Sequence, residues 1–106
     1  MYSSGGTLTS TNPSDQRLKN TIKPLSYGLN EILQLNPKTF YYNDDYAKAR
    51  LKYGFIAQEV KNVMPELARK LNAETDYLGL ETEGIYVTLV NAIKELKQEL
   101  DILKNK

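Results

Sequence analysis

The residues with the means to do chemistry sit near the front of the chain, in Ser14-Asp15-Gln16-Arg17-Leu18-Lys19. The 106-residue sequence has no His and no Cys, which excludes disulfides, thiol nucleophiles, zinc fingers and most transition-metal sites, and removes the commonest general base. Any reaction must then be built from Ser, Lys, Asp, Glu or Tyr. A Ser hydroxyl is a poor nucleophile at neutral pH until a base takes its proton. A Lys amine can be that base once desolvation or a nearby cation lowers its pKa. Ser14 and Lys19 are one such pair, with Arg17 close by. Spacing alone gives them no role, because a Ser five residues before a Lys is ordinary loop composition. Five residues of extended chain span about 17 Å, and a helix would turn the two side chains to different faces. They meet only across a turn or across a subunit boundary.

The elements that must position this pair follow from the rest of the chain. Residues 1–13 are rich in Ser, Thr and Gly and close on Pro13; without apolar periodicity they read as a linker or as the tail of something upstream. Residues 14–24 are too polar and too short for a core element and by themselves read as a loop. Ser26 is placed to cap a helix whose Leu29, Ile32 and Leu33 share a face, and Asn36-Pro37 stops it. Lys38 to Asn43 has strand composition, Asn43-Asp44-Asp45 turns the chain, and Leu51, Tyr53 and Phe55 alternate as a second strand. The two strands should pair, with Gly54 allowing close approach. From Ala57 the period changes: Val60, Val63 and Met64 mark a short helix that Pro65 ends or restarts. Gln58-Glu59 reads as a cap on that helix in preference to a catalytic pair. Leu67 to Leu80 favours a hairpin turning at Asn72 to Asp76.

The last stretch, Gly84 to Lys106, organises the whole. Tyr86, Leu89, Ile93, Leu96, Leu100 and Leu103 alternate spacings of three and four, which is a heptad seam with Tyr86, Ile93 and Leu100 at a and Leu89, Leu96 and Leu103 at d. Glu99 at g and the following Lys104 at e suit parallel strands. The seam runs for about two and a half heptads, so an amphipathic helix packed on its own domain is the competing reading. Ile85, Val90 and Ala92 widen the apolar face in the first half, while Lys97, Glu99 and Lys104 narrow it in the second. The helix is therefore expected to dock at its start and to self-associate towards its end. Ile at a with Leu at d leans towards two strands and the wide first half towards more, which leaves dimer against trimer open.

SDQRLKNTIKPL, beginning at Ser14, resembles the opening motif of the intramolecular chaperone domains at the C-terminal end of phage tailspikes, tail fibres and neck appendages, classed with the S74 peptidases. Three later stretches agree in order: Gly54-Phe55-Ile56-Ala57-Gln58-Glu59-Val60, Pro65-Glu66-Leu67, and Leu89-Val90-Asn91-Ala92-Ile93-Lys94-Glu95-Leu96-Lys97. The resemblance implies a domain that trimerises, aligns a β-rich client upstream in the same chain and cuts itself free. Carried over by position, Ser14 is the nucleophile and Lys19 the base. Attack by Ser14 on the preceding carbonyl would break Pro13-Ser14 through an ester, whereas descriptions of the family also place the cut on the Asp15 side, where Asp15 would assist water; both bonds stay open. The expected fold is α+β. Residues 1–13 belong to the upstream tail, residues 14–82 form a mixed body of short helices and antiparallel strands, and residues 83–106 form a helix in a parallel coiled coil, a homotrimer by the resemblance.

Composition bounds the alternatives. A chain of 12.1 kDa buries a small core unaided, and oligomer contacts would supply what is missing. A net charge of +1 gives no field that argues for nucleic acid or an anionic membrane, no apolar run is long enough to cross one, and nothing calls for a metal or cofactor. The expected place of action is the host cytoplasm during virion assembly, with the domain absent from the mature particle once cut. A permanent, non-catalytic oligomerisation or adaptor module is the alternative, and it predicts no cleavage. A third reading, trimerisation of a membrane-tethered transcription factor, rests on eukaryotic relatives of the family and is disfavoured as a DNA contact by the near-zero charge.

Overall fold

The computed structural model describes residues 11–106, so most of the stretch read as an upstream tail lies outside the described residues. A single turn of 3-10 helix at Gln16–Leu18 opens the described chain, and an exposed segment leads from it to Tyr27. Helix α1 (Leu29–Ile32) follows, then strands β1 (Lys38–Phe40) and β2 (Lys52–Gly54), helix α2 (Ala57–Val63) and a 3-10 turn at Pro65–Leu67. Strands β3 (Ala68–Lys70) and β4 (Leu78–Leu80) lead into the long helix α3 (Thr82–Lys104). The body is thus a small α+β assembly of two antiparallel hairpins and short helices, with one long helix at the C-terminal end.

Both hairpins form where alternation and turn residues place them. In the first, Lys38 pairs with Gly54, Thr39 with Tyr53 and Phe40 with Lys52. The Phe40 ring lies over Gly54, 3.4 Å from where a side chain would begin, so the glycine makes room for a cross-strand aromatic. The connection is held by Asp45, whose carboxylate accepts hydrogen bonds from the Ala49 and Arg50 amides. In the second hairpin Ala68 pairs with Leu80 and Lys70 with Leu78. Strands are shorter than expected because Tyr41, Tyr42 and Leu51 leave the ladder and are exposed.

Two capping expectations are corrected. Helix α1 starts at Gly28 and not at Ser26: the Glu31 carboxylate reaches back to the Gly28 amide at 2.7 Å, satisfying a donor that has no partner inside the helix. That bond also holds the Glu31 carboxyl below the usual carboxylate range. Leu33 does not share the buried face of Leu29 and Ile32; it is exposed, and Leu35 packs instead. At α2 no side chain caps Ile56, and Glu59 pairs with Lys38 of β1 at 3.6 Å, while still placing its charge in the first turn.

The core is compact and sits between α2 and the start of α3. Val60, Met64 and Ile85 are its buried centre, ringed by Tyr27, Ile32, Leu35, Phe55, Val63, Leu67 and Leu80. Pro65 restarts the chain as a 3-10 turn, which turns Met64 wholly inward. Among the described residues Thr88 is the one buried polar residue; its hydroxyl donates to the Gly84 carbonyl one turn back at 2.7 Å and so needs no partner from outside its helix. Among the described residues no helix is long and apolar enough to cross a membrane.

Candidate functional site

Of the two ways in which Ser14 and Lys19 could meet, a turn and a subunit boundary, a turn is present. Asp15 occupies the N-cap of the Gln16–Leu18 turn and accepts the Arg17 amide at 2.9 Å. The Leu18 and Lys19 amides then donate back to the Asp15 and Gln16 carbonyls, at 3.0 and 3.1 Å. The Arg17 guanidinium closes on the Asp15 carboxylate through Nε at 3.1 Å and Nη2 at 2.8 Å. The side-chain bond from Arg17 is the larger cause, and its backbone bond the smaller, of an Asp15 carboxyl held below the usual carboxylate range; the same pairing pushes the Arg17 guanidinium up.

With the turn closed, Lys19 Nζ lies 2.8 Å from Ser14 Oγ and donates a hydrogen bond to it. Lys19 itself is extended, which swings its side chain back past the turn towards Ser14. The contact is made within one chain. Asp15 and Arg17 therefore have a role that the sequence reading missed: Asp15 is tied up as a cap and ion-pair partner, and the pair builds the turn that joins Ser14 to Lys19. Asp at an N-cap position two residues before a matched cation is the signal from which this follows. The same pairing engages the Arg17 guanidinium. Residues 11–26 are exposed throughout, so a single chain does not bury the Ser14–Lys19 contact. Pro13 and Asp15, the two neighbours of Ser14, are equally open to solvent.

The seam residues lie on one exposed face of α3. Tyr86, Leu89, Ile93, Leu96, Leu100 and Leu103 are 39 to 65 % exposed, a large apolar content for a helix in contact with water. The face that docks on the body is a different one: Ile85, Thr88 and Ala92 are buried, with Glu95 continuing the row. At about 100° per residue the two stripes are roughly a quarter-turn apart. Ile85 and Ala92 thus belong to the docked stripe and not to the seam, while Val90 stays exposed. Beyond Ala92 no residue of α3 is buried.

Sequence reasoning also passed over two α3 side chains that hold the segment leading to the site. Asn91 donates to the Leu25 and Tyr27 carbonyls at 3.0 and 2.9 Å, and Glu95 accepts the Leu29 amide at 2.7 Å. Neither is apolar, so neither registers in a periodicity.

Comparison with known proteins gives the family. Residues 14–69 match the family described as chaperone of endosialidase, peptidase S74, from the Ser14 motif into β3. The chain is 35 % identical over 97 residues to a probable tail fiber protein of Escherichia phage Phieco32, covering 88 % of this chain and 13 % of that protein. It is 30 % identical over 98 residues to the long tail fiber protein Gp37 of Enterobacteria phages M1 and Ox2, covering 86 % of this chain and 38 % of each. It therefore spans well under half the length of these relatives. With just over half of its residues inside the family match, and both members of the Ser14–Lys19 contact among them, the chain belongs to the peptidase S74 family of endosialidase chaperones.

Proposed function

We propose that this domain is an intramolecular chaperone for a phage tail fibre: it joins three copies of the chain through the α3 seam, aligns the client segments upstream, and then releases itself by Ser14-dependent cleavage. The observation that carries the reading is the 2.8 Å contact between Lys19 and Ser14 inside the family match. The physical need is plain, because intertwined β-rich fibres have high contact order and must bring separate chains into register before distant pairing is rewarded. A C-terminal clamp lowers that entropic cost.

In the proposed reaction the Lys19 amine takes the Ser14 hydroxyl proton, and Oγ attacks the Pro13 carbonyl carbon. An ester forms between Pro13 and Oγ as the peptide bond breaks, and the Ser14 α-amine receives the proton. Water then hydrolyses the ester, leaving a carboxylate on Pro13 and restoring the hydroxyl. The Ser14-Asp15 bond is the other candidate, and the masses of the two pieces distinguish them. For either bond a lysine amine must first shed its proton and accept where it now donates, a change that burial favours. A single chain leaves the segment exposed, so a neighbouring chain of the trimer, or the folded client, is the natural source of that burial. Cleavage would then report correct assembly.

The exposure of the pair and the neutralisation of Arg17 by Asp15 favour the second reading, a permanent oligomerisation module, if no chain ever covers the site. Expressing the domain behind its upstream segment and following chain length by mass spectrometry separates the two.

A further inference from the structure

We infer that Asn91 and Glu95 are positioning residues that fix the cleavage segment to the seam helix, so that assembly at the seam is transmitted to Ser14 and Lys19. The inference rests on the proposed self-cleavage. Its ground is a count of attachments: among the described residues, every hydrogen bond and ion pair of residues 14–26 is local except one, the bond that the Leu25 carbonyl accepts from Asn91 Nδ2. At Tyr27 and Leu29 the same helix face holds the backbone again, through the second bond of Asn91 and the carboxylate of Glu95, while the Tyr27 hydroxyl donates to Glu66 of the Pro65–Leu67 turn. The Glu95 carboxylate packs so closely on Gly28 that a side chain there would collide with it.

This grip sits on the same rigid helix as the seam but is turned away from it: at about 100° per residue, Glu95 and Asn91 lie roughly 130° and 170° round α3 from the middle of the seam stripe. The helix proposed to meet a partner copy on one side thus holds the root of the cleavage segment on its far side. Between root and site, Thr21 has φ 51°, a left-handed conformation that a β-branched residue adopts only under strain. Fixing the root at Leu25, Tyr27 and Leu29 therefore restricts where the Ser14–Lys19 turn can lie relative to a neighbouring chain. It does so without touching either reacting side chain.

The test uses the domain with its upstream segment and three variants, each read for cleavage rate by mass spectrometry, oligomeric state by sedimentation equilibrium and amide exchange over residues 14–29. Asn91→Leu removes both donors, Glu95→Ala removes the acceptor, and Glu95→Gln keeps a carbonyl oxygen in its place. Asn91→Leu and Glu95→Ala are expected to assemble like the parent, to exchange faster over residues 14–29 only, and to cut at least tenfold more slowly. Glu95→Gln is expected to cut within about threefold of the parent, a rescue that a loss of general packing would not give. Parent-like cutting by Asn91→Leu and Glu95→Ala overturns the inference and leaves the proposed function standing, as does a loss of cutting that comes only with dissociation to monomers. A parent that never cuts, or a Ser14→Ala chain that cuts normally, overturns the proposed function and the inference with it.

Discussion

Asp15 and Arg17, two residues apart, form a two-point ion pair across the turn that lays Lys19 Nζ against Ser14 Oγ. The pair is solvent-exposed, and exposed ion pairs add little to global stability. Its effect is local: it selects one conformation of a short loop, and that conformation brings the candidate nucleophile and base into contact.

The Asp15 carboxyl should therefore titrate below the ordinary carboxylate range, chiefly because of the Arg17 side chain. A carboxyl depressed in the folded chain stabilises its turn above the ordinary value, and that contribution is lost as pH falls through the lower, folded value. Carbon-detected NMR titration of Asp15 is expected to show a midpoint that moves up when Arg17 is replaced by Gln. An identical midpoint in both chains would contradict the ion pair. Asp15→Ala, which removes cap and pair together, should slow cleavage at least tenfold while leaving the thermal midpoint of the body unchanged.

Met64 lies wholly buried between Val60 and Ile85, where the chain turns into Pro65. Met64→Ala removes its side chain from the centre of a small core and is expected to cost about 2–5 kcal/mol. Urea unfolding at one fixed protein concentration measures this, since an assembly's stability shifts with concentration. A loss under 1 kcal/mol would mean that the core collapses around the gap.

Leu96 is half-exposed on the seam stripe and no part of the core cluster, so Leu96→Asp should leave the protomer folded and break the assembly. Sedimentation equilibrium is expected to give a trimer for the parent and a monomer for the variant, with matching far-ultraviolet dichroism. The variant should also fail to cut. A dimeric parent would mean that the Ile-at-a, Leu-at-d preference governs the count, and a variant that stays trimeric would move the interface off this stripe.

Much of this arrangement was legible in the sequence because its signals are local. Alternation gave the pairing of Lys38 to Phe40 with Lys52 to Gly54, and the change of period at Ala57 gave the α2 turn that buries Val60 and Met64. The two stripes of α3 were read as one broadened face, because Ile85 and Ala92 flank the seam in a heptad and only the packed body shows which side they serve. Caps were misread where a backbone amide meets a carboxylate three residues on, as at Gly28 and Glu31, in competition with a nearby Ser of higher N-cap propensity than Gly. Spacing alone leaves the Ser14–Lys19 contact to a turn or to a subunit boundary, and Asp15 and Arg17 as makers of a turn emerge only with the chain folded.

The most direct test of the proposed self-cleavage is the mass of the chain expressed behind its upstream segment, compared with the Ser14→Ala and Lys19→Ala variants. The parent is expected to yield two pieces whose masses place the cut at Pro13-Ser14 or at Ser14-Asp15, and both variants a single full-length chain that still assembles. A full-length parent that assembles normally, or two pieces of parental mass from Ser14→Ala, would contradict it.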